Sequence, residues 1–137
     1  MGVGLLLVNL NKKMFSQLLA YNDIGLFLLR LAVAVIFIYH AWPKLKNSKG
    51  MAAMVGMPAG MIFMLGAVEF LSSVGLILGL YTQLAAVLLA IVMLGAIGFK
   101  IIKWKVSFSA TDKTGWEFDL ILLAATIAIL FSGGGVI

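Results

Sequence analysis

The chain has 137 residues, 64% of them hydrophobic and 11% charged, with a formal net charge of +5 and a mean hydropathy of +1.16. A soluble domain is near half apolar and a quarter charged, so this composition excludes a soluble globular fold, and it excludes disorder too. Cysteine is absent and histidine occurs once, at His40, so one chain can build no disulfide, iron–sulfur cluster, dithiol pair or bis-histidine haem site.

The first 21 residues combine an apolar run, Leu5 to Leu10, with Lys12 and Lys13 after it. A signal peptide has its charges first and a small-residue cleavage site after the apolar run. Residues 1–21 are therefore expected to form an interfacial helix, with Leu10, Met14, Phe15 and Leu18 turned to lipid.

Four long apolar segments follow, from Asp23 to Trp42, Ala59 to Leu80, Leu84 to Ile102 and Glu117 to Phe131 or 132. A bilayer core takes about 20 apolar residues at a rise of about 1.5 Å each. Backbone groups inside lipid must bond within their own segment, and no segment alternates at period two, so helices are expected. The fold class is all-α: an integral membrane four-helix bundle over residues 22–135. Pro43 disfavours helix at Trp42 and is expected to end the first span. Residues 44–56 read as a loop, Pro58 opens the second span, and Tyr81 to Gln83 links spans two and three as a hairpin. Residues 103–115 form the longest polar loop, and Gly133 to Gly135 end the last helix.

The ten basic residues lie in short clusters, which in so apolar a chain fits membrane flanks and not nucleic acid. Lys12 and Lys13 fall on one side of the four spans. Lys44, Lys46, Lys49, Lys100, Lys103, Lys105 and Lys113 fall on the other. The positive-inside rule then makes loops 43–57 and 103–115 cytoplasmic and leaves both termini outside a cell membrane.

Two ionisable residues fall inside the spans. Arg30 is about 18 Å from the lysine-side interface, counted from Trp42, and Glu69 about 16 Å, counted from Pro58. Charges at such depth turn inward and pair, so Arg30 and Glu69 are expected to meet. Gly66, Glu69, Ser72 and Ser73 share one helix face, the small and polar kind that lines helix contacts in membranes. The pair is either a bundle lock or a polar site for a quinone head group, a proton or a substrate.

A second cluster, His40, Lys44, Glu117 and Asp119, is expected at the lysine-side interface. The two acids suit the first turn of a helix, where the dipole favours them. The alternative is a proton relay or head-group contact between His40 and one of them. Met51, Met54, Met57, Met61 and Met64 recur every three or four residues. Thioethers suit Cu(I), but methionine is also ordinary filler in apolar helices, and no Cys or His lies in the stretch. No nucleophile triad, phosphate-binding glycine loop or zinc pattern occurs.

With these residues placed, the chain resembles the DoxX family of small four-helix membrane proteins, from about Ile24 to Gly135. The resemblance is carried by Leu29-Arg30-Leu31-Ala32 and by Phe37-Ile38-Tyr39-His40-Ala41-Trp42-Pro43-Lys44-Leu45. It continues through Glu69, Gly79, Thr82-Gln83-Leu84-Ala85-Ala86, Met93, Ala96 and Glu117. Ala41, Ser72 and Ser73 depart from the pattern, which often has glycines there. The family takes its name from a subunit of a thiosulfate:quinone oxidoreductase. The resemblance therefore implies a small membrane subunit of a quinone-linked redox system, with no redox centre of its own. It marks Arg30, His40, Lys44, Glu69 and Glu117 as functional positions, with Arg30, His40 and Glu69 as candidate quinone contacts. Quinone is the one cofactor implied. Partners would be lipid together with other membrane subunits or further copies of the chain. Any enzymatic role would be that of a non-catalytic or quinone-contacting subunit. The alternatives are a structural or assembly subunit of a larger membrane complex and a small oligomeric transporter.

Overall fold

A computed structural model describes residues 2–13 and 15–135, the side chains of 11–13 apart, and every regular element in them is a helix. The α-helices are α1 (Gly2–Lys13), α2 (Asn22–Lys46), α3 (Ser48–Val55), α4 (Ala59–Leu78), α5 (Thr82–Gly98) and α6 (Trp116–Ser132). A 3₁₀ segment, Ser16–Tyr21, leads into α2, and a π-helical turn, Phe99–Lys103, prolongs α5. Among the described residues, three helical stretches are long and apolar enough to cross a membrane: Ser16–Lys46, Ala59–Leu78 and Thr82–Lys103. At 17 residues, α6 falls just short of that length.

α2, α4, α5 and α6 share one core. Val33, Ala34 and Phe37 from α2 meet Leu76 from α4, Leu89 and Met93 from α5, and Leu122 and Ile129 from α6. The outer faces are apolar as well, with Leu28, Val35, Leu71, Leu94, Ile121 and Phe131 exposed. A water-soluble monomer rarely presents so continuous an apolar surface, and a bilayer is the solvent that suits it. The protein is a membrane protein.

The N-terminal segment forms a helix, α1, that packs against the 3₁₀ segment. Leu10, Phe15 and Leu18 are exposed. Met14 lies outside the described residues, as do the side chains of Lys12 and Lys13.

Two boundaries differ from the expectation. The first span does not end at Pro43, because α2 runs through the proline to Lys46. Proline is tolerated inside a membrane helix where neighbouring helices hold the turn. Here the Asn47 N–H donates to the Pro43 carbonyl at 2.8 Å, and Lys44 is anchored to α4. Residues 44–56 are not a loop either. Asn47 caps a new helix by accepting from the Gly50 N–H at 3.2 Å, and α3 ends at Gly56, whose φ of 76° suits glycine. The hairpin between α4 and α5 turns on Gly79 (φ 73°), with the Leu80 N–H closing on the Gly75 carbonyl at 2.9 Å.

Candidate functional site

α2 and α4 pack antiparallel, and their register decides which charges meet. Gly66 lets the helices approach closely: a Cβ there would lie 2.8 Å from the Lys44 Cβ and 3.2 Å from the Ala41 carbonyl oxygen. This contact levels Lys44 with Glu69. The Lys44 ammonium donates to the Glu69 carboxylate at 2.6 Å, with the Glu69 side chain 1% exposed and that of Lys44 20%. The expected Arg30–Glu69 pair does not form. Arg30 is buried nearer the far end of α4, where it donates to the Leu76 carbonyl at 3.2 Å and lies over the Phe27 ring. Glu69 to Leu76 is about 10 Å along a helix; counting depth from Trp42 and Pro58 put Arg30 and Glu69 at one level because α2 and α3 continue between those two residues. Gly66, Glu69, Ser72 and Ser73 are all buried on one face of α4, and the Ser73 hydroxyl donates to the Glu69 carbonyl at 2.7 Å.

A second pair joins α6 to the end of α5. Lys100 forms an ion pair with the Asp119 carboxylate at 2.6 Å and donates a hydrogen bond to the Thr114 carbonyl at 3.2 Å. Lys100 was legible only as a flank charge. Its signal was a lysine set inside the third apolar run, ahead of Ile101 and Ile102. Of the two expected acids, Asp119 is buried and Glu117 is exposed, so the interfacial cluster keeps Asp119 and loses Glu117. Helical geometry is the reason: two residues apart on a helix do not share a face. The His40 ring packs 5.7 Å from the Phe118 ring and 5.6 Å from Tyr39.

Both ion pairs border one cavity of about 390 Å³. His40, Lys44, Glu69, Lys100 and Asp119 line it, and the rest of the wall is mostly apolar, with Phe37, Phe118 and Leu122 among its residues. That volume is in the range of small-molecule sites, roughly 300–1,000 Å³, and so is the pattern of few polar groups in an apolar wall. The five methionines divide. Met51, Met57 and Met61 line the cavity, while Met54 and Met64 are exposed and outside it, so the five do not converge on one point. Among the described residues no three His, Asp or Glu side chains group as metal ligands. Arg30 does not line the cavity, which separates it from the other proposed quinone contacts, His40 and Glu69.

The DoxX family model matches residues 25–106, from the start of α2 to just beyond the π-turn. The chain belongs to the DoxX family. The match stops before α6, so Asp119 lies outside the matched residues. A *Bacillus subtilis* (strain 168) protein described as "Putative oxidoreductase CatD" is 31% identical over 114 residues, 81% of each chain. An uncharacterized protein of *Haemophilus influenzae* (strain ATCC 51907 / DSM 11121 / KW20 / Rd) is 32% identical over 124 residues, 88% of this chain and 91% of the other. No solved structure matches the chain.

Proposed function

We propose that this DoxX-family protein is a small membrane subunit of a quinone-linked redox system, and that its cavity holds the quinone head group. The observation that carries the reading is the cavity of about 390 Å³ in which two lysine–carboxylate pairs and one histidine face mostly apolar walls. A quinone ring is apolar on both faces and carries two carbonyl oxygens at its edge. Phe37 and Phe118 offer surface for the faces. Lys44, Lys100 and His40 offer donors for the oxygens.

When bound, a quinone supplies two-electron chemistry with uptake of two protons. The Glu69 and Asp119 carboxylates and the His40 imidazole are the chain's groups able to hold a proton beside it. The electrons come from a partner, because a chain without cysteine and with one histidine offers few ligands for a redox metal. The relative described as an oxidoreductase supports a redox setting.

In this reading α6 is a fourth span. Its 17 residues reach about 26 Å, within the range of short membrane helices, and Trp116 marks one interface. α2, α4, α5 and α6 then form a four-helix membrane bundle, with the lysine-rich loops cytoplasmic and both termini outside. The competing reading takes Lys44–Glu69 as a bundle lock within a structural subunit, and the Gly66 contact beside it favours that view.

Quinone extracted from the protein, purified in mild detergent from its own membrane, separates the two. The head-group reading expects quinone in near-stoichiometric amount in the wild type and a loss of it in Asp119→Asn and Lys100→Met. Quinone at the background level of the bulk membrane in all three proteins would sink it and leave the lock.

A further inference from the structure

The cavity is not closed on all sides. Met61 on α4 and Ile91 and Gly95 on α5 line it, yet Met61 is 48% exposed, Ile91 58%, and Gly95 exposed too. A residue that borders an interior cavity and also the outer surface is part of a rim. These three come from neighbouring helices, so the rim is a gap between them.

The gap is bounded at both ends. Towards the Gly79 turn α4 and α5 are in close contact, a Cβ on Gly75 lying 3.8 Å from the Ala85 Cβ. At the other end the Lys103 ammonium crosses from the π-turn to the Gly56 carbonyl at 3.3 Å. Gly95 lies about 12 Å before Lys103 along the helix, at hydrocarbon depth. The gap therefore faces acyl chains and not water. Beside Gly95 there is room: a Cβ at that position would meet no atom within 4 Å. Met61 opposite is unbranched and adapts its shape readily.

We infer that this gap is a lateral window, and that the ligand is a quinone whose long apolar tail leaves the cavity past Gly95 into the bilayer. The inference rests on the head-group reading above and adds the class of quinone and its route. Lys44, Glu69, Lys100 and Asp119 line the cavity that takes the ring, and only apolar side chains and a glycine border the tail. An apolar tail that remains in lipid needs no burial of its own, so the protein provides a passage for it and no pocket.

The test uses the full chain in lipid nanodiscs and two probes, a decyl-substituted benzoquinone and the same ring without the tail. Both are titrated by quenching of tryptophan fluorescence, to which Trp104 on the cavity wall contributes. The variants are Gly95→Phe, which fills the window, and Gly95→Leu, which narrows it. Each is first checked for its helical spectrum and melting point. The window predicts that Gly95→Phe weakens the tailed probe at least about tenfold and changes the tailless one less than about twofold, with Gly95→Leu in between. Unchanged binding of the tailed probe, or equal loss of both probes, overturns the window and leaves the head-group site standing. If neither probe quenches the wild type, the head-group reading fails and the window falls with it.

Discussion

Lys44 and Glu69, 25 positions apart in sequence, meet at 2.6 Å where Gly66 lets α2 and α4 approach closely. The pair does two things at once. It neutralises a carboxylate that is 1% exposed, and it lines the cavity that the proposed ligand would enter.

The two partners are not equivalent when removed. Lys44→Met leaves the Glu69 carboxylate buried without its cation, and such a loss costs about 3–5 kcal/mol. Glu69→Gln leaves a lysine that already reaches the surface and can extend outward, so its cost is smaller. The double variant, Lys44→Met with Glu69→Gln, is expected to be more stable than Lys44→Met alone. Denaturation of the three proteins in one detergent gives the coupling directly.

Gly66→Ala tests the helix contact. In a free helix the change would help by roughly 1 kcal/mol. Here the new Cβ would press on the Lys44 Cβ and on the Ala41 carbonyl, and backbone cannot move aside as a flexible side chain can. Overpacking of this kind costs about 1–3 kcal/mol, so a net loss is expected. A lower melting temperature for Gly66→Ala than for the wild type is the check; a higher one would show that α2 and α4 separate freely.

The glycines after α6 give a paired comparison. Gly133 (φ 74°) and Gly134 (φ 78°) both adopt the left-handed backbone, which costs a side-chain-bearing residue about 1–2 kcal/mol. A Cβ on Gly133 meets nothing within 4 Å, but one on Gly134 would lie 2.6 Å from the Thr82 Cγ2 and 2.7 Å from the Arg30 Cδ. Gly134→Ala is therefore expected to be clearly less stable than Gly133→Ala in parallel melts. Equal losses would place the whole effect in the backbone.

The acids at the start of α6 differ in the same way. Asp119→Asn removes the partner of Lys100 beside the cavity, whereas Glu117→Gln changes an exposed side chain. Glu117→Gln is expected to shift stability by no more than about 1 kcal/mol, its share of the helix-dipole interaction. Asp119→Asn should lose more, and its loss should shrink when Lys100→Met is added. Thermal melts of the four proteins decide it.

Much was legible from residues alone. Composition named the membrane, and the apolar runs placed α2, α4, α5 and α6 to within a few residues, because backbone in lipid has few alternatives to helix. Spacing on α4 put Gly66, Glu69, Ser72 and Ser73 on one buried face. Pro43 misled, since the local rule for proline knows nothing of the neighbouring helix that holds Lys44 in place. α3 was hidden because its eight residues are too short for a periodic signal to stand out.

The sequence by itself determined that charges at Arg30 and Glu69 must be satisfied within the protein, since an unpaired charge at their depth in lipid is costly. Their partners were decided by tertiary structure alone. Depth is counted along one helix, but pairing depends on the register between two, and that register is set where Gly66 lets the backbones touch. It carried Glu69 to Lys44 and Arg30 to the Leu76 carbonyl. The cavity has the same origin: its walls come from several helices at once, and no single segment contains it.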